Sequence, residues 1–269
     1  MTKEELFHNI QLKSSFLCIG LDTDKRKIPA FLLKERNPIA TFNKAIIEAT
    51  HDLCVAYKPN IAFYESEGIH GWHALESTMA QIPSDIFTIA DAKRGDIGNT
   101  SQMYAQAFFH HYHFDAVTVS PYMGGDSVMP FLSFSGKYVI LLIATSNEGA
   151  GDFQTLLSGS KPIYEHVLDK ALTWAGPDQL MFVTGATRPE ILNKIRRKAP
   201  EYFFLVPGIG AQGGSLDEVC KYGMNKQCGL LVNSSRDILY AGHGKNFQEK
   251  ARETALRIKE HMSILLTTL

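Results

Sequence analysis

What the chain is short of narrows its possibilities first. Neither sign of charge is in surplus: 27 lysines and arginines face 28 aspartates and glutamates, for a formal net charge of −1 at pH 7. General nucleic-acid binders are usually basic, so this balance argues against one while leaving room for a local basic site for a single phosphate. Long apolar runs are missing; the longest, near Val139 to Ala144, is far below the ~20 residues of a membrane-spanning helix. The opening Met1-Thr2-Lys3-Glu4-Glu5 is charged, and no apolar stretch of the secretory kind follows it. Only four cysteines occur, Cys18, Cys54, Cys220 and Cys228, with no Cys-x-x-Cys pair, so they read as buried thiols and not as disulfides. These absences predict a soluble cytoplasmic protein without membrane contact. No fixed-period repeat, low-complexity tract or proline-rich linker marks a domain boundary, so residues 1–269 read as a single domain.

What is present is an alternation. Short apolar, β-branched runs recur near Phe16–Asp22, Val55–Ala62, Ile86–Lys93, Ala116–Ser120, Tyr138–Thr145, Leu180–Gly185, Phe203–Pro207 and Gly229–Asn233. Most are apolar throughout, as strands covered on both faces are. Helical patterns fall between them: Ile39–Leu53, Thr100–His111 behind a Gly-Asn-Thr turn, helices opened by Pro162 and Pro189, and a final helix over Phe247–Leu265. Alternation of this kind predicts a parallel α/β sheet, and eight strands with their helices is the count of a (β/α)8 barrel; a doubly wound open sheet is the alternative. Two long glycine-containing loops follow strands, Ser146–Ser160 and Gly208–Ser215. In a barrel such loops lie on the catalytic face, where they commonly act as lids.

Charged residues collect at the predicted strand ends. The third strand closes on Asp91-Ala92-Lys93-Arg94-Gly95-Asp96, and strand alternation puts Asp91 and Lys93 on one side and Arg94 on the other. Lys58 ends the second strand and Asp22 the first, so Asp22, Asp91, Asp96, Lys58 and Lys93 are positioned to converge. Buried charges are expensive unless paired or used, and at this face of a barrel they are usually catalytic; a structural salt-bridge layer is the bland alternative. After the seventh strand, Pro207-Gly208-Ile209-Gly210-Ala211-Gln212-Gly213-Gly214 offers backbone N–H groups and a side-chain amide. After the eighth come Asn233-Ser234-Ser235-Arg236. Loops after strands seven and eight are a frequent phosphate site in barrels, and Arg236 can grip phosphate in a fork. His110-His111-Tyr112-His113 suggests no third metal ligand and is discounted as a zinc site.

The segment Asp91-Ala92-Lys93-Arg94-Gly95-Asp96-Ile97-Gly98-Asn99-Thr100 resembles the signature of the orotidine 5'-phosphate decarboxylase family. Gly20-Leu21-Asp22, Lys58-Pro59-Asn60, Thr145-Ser146-Asn147, Pro207-Gly208 and Val232-Asn233-Ser234-Ser235-Arg236 follow in the family's order. The Lys-Pro-Asn, Thr-Ser-Asn and Gly-Ala-Gln-Gly-Gly pieces resemble its type 2 branch. The resemblance implies a TIM barrel, a homodimer with shared active sites, a nucleotide substrate, and the last step of UMP biosynthesis without metal or coenzyme. By the same resemblance Lys93 protonates C6 as CO2 leaves. Asp91, Lys58 and Asp96 complete an alternating charged array, with Asp96 reaching across from the partner subunit and Ile97 and Thr100 beside it. Asp22 holds the ribose hydroxyls, Ser146 the pyrimidine ring, and Gln212, Ser235 and Arg236 the phosphate, with Pro207 and Gly213 in the gripping loop. A metal-dependent sugar-phosphate aldolase or decarboxylase of the same barrel group is the nearest rival, but it carries an acidic metal ligand where this chain has Lys58. A Schiff-base aldolase using Lys93 or Lys58, and a catalytically silent nucleotide-binding barrel, are the others.

Overall fold

The computed structural model describes residues 1–209 and 213–267. Eight parallel strands close into a barrel in which every strand pairs with its sequence neighbours and the last pairs with the first. They are β1 (Leu17–Gly20), β2 (Ala56–Lys58), β3 (Phe87–Arg94), β4 (Ala116–Val119), β5 (Tyr138–Ala144), β6 (Leu180–Thr184), β7 (Phe204–Pro207) and β8 (Leu230–Ser234). β1, β4, β6 and β8 are buried at every position. That burial is the reason their sequences run apolar instead of alternating. The barrel expectation therefore holds, and the open sheet does not.

Helices cover the outside: α1 (Lys3–Lys13), α2 (Pro38–Thr50), α3 (Ile61–Glu65), α4 (Gly68–Met79), α5 (Gly98–Gln106), α6 (Gly125–Leu132), α7 (Ile163–Ala171), α8 (Pro189–Lys198), α9 (Leu216–Gly223), α10 (Arg236–Leu239) and α11 (Phe247–Leu266). Pro38 and Pro189 open their helices, where a missing N–H costs nothing. α1 begins with a capping box between Thr2 and Glu5 and buries Leu6 and Ile10 completely. No described helix is long and apolar enough to cross a membrane.

Three departures from the sequence reading matter for the site and have local reasons; the other element ends shift by a few residues at most. The second strand does not run to Ala62: the Asn60 side chain accepts the N–H of Ala62 at 3.3 Å and caps α3, so Ile61 and Ala62 are helical. α5 begins at Gly98, before Thr100, and continues into a wider π turn over Ala107–His111. The loop after β5 is not plain coil. It holds a 3-10 turn at Glu148–Asp152 and an antiparallel pair, Leu157–Ser158 with Lys161–Pro162. Gln154 ties that loop to the barrel, accepting the N–H of Thr145 at 2.8 Å and donating to its hydroxyl at 2.8 Å.

A buried polar network under α2 holds the C-terminal end of β1 in place. Asn43 accepts from the Thr23 hydroxyl at 2.5 Å and donates to Tyr64 and Thr78, each at 2.9 Å. Tyr64 in turn donates to the carbonyl of Leu21 at 3.1 Å, and Tyr240 donates to the carbonyl of Asp22 at 3.0 Å. The backbone that carries Asp22 is thus pinned from two sides. Asn43→Ala leaves several buried groups without partners and is expected to lower unfolding free energy by roughly 2–4 kcal/mol in urea titrations. A loss under about 0.5 kcal/mol, the range of ordinary surface substitutions, would show that the network does not hold this strand end.

Candidate active site

At the C-terminal mouth of the barrel one carboxylate sits between two ammonium groups. Lys58, 4% exposed at the end of β2, donates to Asp91 Oδ2 at 2.8 Å. Lys93 donates to the other oxygen, Oδ1, at 2.5 Å. Asp22 Oδ1 lies 3.9 Å from the Lys58 ammonium and is buried without a hydrogen-bond partner among the described residues. A buried acceptor in that state is placed for a donor from outside the chain, such as a hydroxyl.

The electrostatics follow from this geometry. Burial would raise the pKa of Asp91, but Lys58 and Lys93 outweigh it and hold the carboxyl well below its usual range. Burial likewise disfavours the Lys58 ammonium, and Asp91 with Asp22 reverses that, so its pKa is raised. Cys18 lies beneath the array, its thiol donating to Asn233 Oδ1 at 3.6 Å, and burial raises its pKa so that it stays neutral.

Two adjoining cavities share Lys58, Asp91 and Pro207. The first, of about 200 Å³, is lined by Gly208, Ile209, Asn233, Ser235, Arg236 and Asp22 among others. The second, of about 490 Å³, is bounded by Lys93, Thr118 and Ser146 and by the apolar walls Leu142, Val183 and Leu205. Glycine makes room in the first cavity. A Cβ on Gly20 would fall 1.8 Å from the Ser235 hydroxyl, and Gly208 has φ +100°, open chiefly to glycine. The loop after β7 closes on itself where Gly214 donates to the carbonyl of Gly208 at 3.0 Å.

Of the residues expected from sequence, Asp22, Lys58, Asp91, Lys93, Ser146, Pro207, Ser235 and Arg236 line these cavities. Lys93 meets Asp91, but not by regular alternation: β3 bulges between Ala90 and Arg94, and Lys93 has φ +47°. Arg94 points away, pairing with Glu65 and lying over the rings of Tyr104 and Phe108. Asp96 lines neither cavity, and among the described residues it forms no ion pair; its carboxylate accepts the N–H of Ile97 at 2.8 Å. Ile97, Thr100 and Gly213 are exposed and also outside the cavities, and Gln212 lies outside the described residues. Sequence reasoning overlooked Thr118 and gave Asn233 no role beyond its place in a motif. Asn233 donates to the Ser235 hydroxyl at 3.2 Å. Both residues sit within strands, where a polar residue buried in an apolar run was the available signal.

Paired charge at the C-terminal strand ends, beside a glycine-shaped cradle, defines a barrel enzyme of anionic, phosphate-bearing substrates. Residues 15–252 match the model of the "Orotidine 5'-phosphate decarboxylase / HUMPS family", and the chain belongs to that family. It is 58% identical over 267 residues to orotidine 5'-phosphate decarboxylase of Christiangramia forsetii, with 98% of each chain covered. It is 54% identical over 270 residues to that of Porphyromonas gingivalis, covering 99% of this chain and 98% of the relative. Among solved structures, Leishmania donovani OMP decarboxylase superposes with a TM-score of 0.81 at 37% identity, over 97% of this chain and all (100%) of the other. A putative orotidine-monophosphate decarboxylase from Toxoplasma gondii gives a TM-score of 0.83 at 32% identity, over 97% and 98% of the two chains.

Asp91, with its pKa depressed in the folded chain, contributes stability that is fully present above the unfolded carboxyl value of about 3.9 and is lost as pH falls through the depressed value. Lys58, with its pKa raised, contributes below about 10.4 and loses that contribution as pH rises through its raised value. Asp91→Asn is therefore expected to cost about 3–5 kcal/mol of stability, constant between roughly pH 5 and 9, with the gap narrowing below about pH 4. Urea unfolding across that range measures it; a gap that widens toward acid would mean that Asp91 is protonated in the native protein.

Proposed function

We propose that the Asp91–Lys58–Lys93 array is what drives this chain's conversion of orotidine 5'-phosphate to uridine 5'-phosphate and CO2. The activity itself follows from family membership: the chain is a cofactor-independent carboxy-lyase of pyrimidine biosynthesis. The observation that carries the proposed mechanism is the position of Asp91 between two ammonium groups, at the junction of a cradle suited to phosphate and a cavity with apolar walls.

In this reading the phosphate rests against Gly208, Ile209, Ser235 and Arg236, the ribose hydroxyls meet Asp22 and Lys58, and the pyrimidine enters the second cavity beside Ser146. The C6–carboxylate bond breaks, its electron pair stays on C6, CO2 departs, and Lys93 delivers a proton to C6 and is reprotonated from solvent. The developing carbanion lacks an adjacent π-system to spread its charge, so stabilisation must be electrostatic. One ammonium about 4 Å away supplies ~4 kcal/mol at an effective dielectric near 20. That is well below the ~20 kcal/mol required to accelerate a very slow reaction. Preorganisation of the array and binding energy from the phosphate supply the remainder. Because Asp91 stays ionised, it also repels the substrate carboxylate, and release of CO2 relieves that repulsion.

We further propose a homodimer in which Asp96 completes the partner's array. In support, Asp96 stands apart from its own chain's cavities, and Ile97, Met103, Tyr122 and Met123 nearby are 52%, 58%, 88% and 49% exposed. The four free thiols, all buried, suit a reducing cytoplasm.

Lys93→Ala is expected to lower kcat at least about a thousandfold while uridine 5'-phosphate still binds, because a proton donor acts mainly on the transition state. A variant retaining a tenth of wild-type kcat would assign the proton to another group. Mixing Lys93→Ala with Asp96→Ala chains, each nearly inactive alone, should restore up to about a quarter of wild-type activity. In a twofold heterodimer one site then carries both substitutions and the other neither. Subunit exchange verified by mass spectrometry without regained activity would place Asp96 outside the partner's site.

A further inference from the structure

We infer that Thr118 is a positioning residue for Lys93, acting together with Arg94 on a single peptide plane. The inference rests on the reading of Lys93 as proton donor. β3 and β4 are in register at Ile89/Ala116 and Ala90/Val117, and again at Arg94/Val119. Asp91, Ala92 and Lys93 therefore stand opposite Thr118 alone, and the bulge takes the N–H groups of Ala92 and Lys93 out of the ladder.

Both N–H groups donate instead to the Thr118 hydroxyl oxygen, each at 2.9 Å. With its acceptor capacity used, the hydroxyl has one proton left to donate, and Asp91 Oδ1 lies 3.2 Å away, nearer than the carbonyl of Ala90 at 3.4 Å. A charged acceptor makes the stronger bond. One buried side chain thus orients Asp91 and saturates the backbone that carries Lys93. On the other edge of the same peptide, Arg94 Nη1 donates to the carbonyl of Ala92 at 3.1 Å. That guanidinium is itself held by Glu65 and by the rings of Tyr104 and Phe108, 5.2 Å and 5.6 Å away. The Ala92–Lys93 peptide is gripped at its N–H and at its C=O.

Such a grip is required because the conformation is costly. Lys93 has φ +47°, a left-handed geometry that costs a non-glycine residue about 1–3 kcal/mol unless its surroundings impose it. The Lys93 side chain is 51% exposed, so packing along its stem does little to aim the ammonium. Its direction is set at the backbone, and a misplacement of about 1 Å can cost about a hundredfold in rate.

The test is steady-state kinetics with orotidine 5'-phosphate, together with uridine 5'-phosphate affinity by calorimetry. Thr118→Val, equal in shape but without the acceptor, is expected to lower kcat about 10- to 100-fold and to shift nucleotide affinity by less than about threefold. Thr118→Ser, which keeps the hydroxyl, should stay within about threefold of wild type in both. Arg94→Met, which removes the carbonyl grip together with the Glu65 pair and the ring contacts and leaves Thr118 in place, should lower kcat at least about fivefold with affinity preserved. A folded Thr118→Val with wild-type kcat overturns the inference, as do equal losses in the valine and serine variants. If Thr118→Val fails to fold, wild-type kcat in Arg94→Met overturns it. Lys93→Ala is run alongside: an active Lys93→Ala chain defeats the assignment of Lys93 itself, whereas an inactive one beside an unimpaired Thr118→Val defeats only the positioning role.

Discussion

A carboxylate in a protein interior is tolerable only when its charge is answered, and Asp91 is answered twice, by Lys58 and by Lys93. The mouth of the barrel is arranged around that requirement. β2 must end at Lys58 and β3 must bulge after Ala90 for both ammoniums to reach one carboxyl group. Removing either partner would strand a charge in a site that water reaches from one side only. The array is consequently a constraint on the fold as well as the proposed catalytic device.

Ions held this rigidly suit the chemistry. Water would have to reorient as negative charge moves from a departing carboxylate to a ring carbon, whereas groups fixed in advance need not. The closed barrel supplies the rigidity: parallel strands, each held on both sides, support Asp22, Lys58, Asp91 and Lys93 at adjacent strand ends. The two cavities differ in lining, one presenting backbone and hydroxyl groups, the other apolar walls, as the proposed seats of an anion and a flat ring require. They join at Asp91 and Lys58, so in the proposed mechanism binding energy gained at the phosphate end is applied at the reacting carbon.

The loops are held at their bases. Gln154 staples the segment after β5 to Thr145, beside Ser146, and Gly214 closes the segment after β7 onto Gly208. Gly185 allows Ser146 to come close, since a Cβ there would fall 2.8 Å from it. Small residues and a single amide therefore fix where the loops begin.

The barrel was legible in the sequence because strands buried on both faces must be apolar throughout, and eight such runs with helical patterns between them admit few architectures. The strand-end charges were legible for the complementary reason: an acid or lysine closing an apolar run is conspicuous. Arg236 and Ser235 stand after the last strand, where the sequence suggested an anion cradle, and both line the first cavity. Other features depended on contacts between distant segments. That Asn60 turns the chain into a helix two residues before the apolar run ends is a matter of one capping bond. Regular alternation put Lys93 beside Asp91 for the wrong geometric reason; a bulge brings them together, and Thr118, on the next strand, accepts the displaced N–H groups. Sequence alone determined which residue types stand at the ends of which strands, since hydrophobic patterning is a local property of the chain. Only the tertiary structure decided which of those side chains meet, leaving Asp96 outside its own chain's array, because contact is set by the register and closure of strands far apart in sequence.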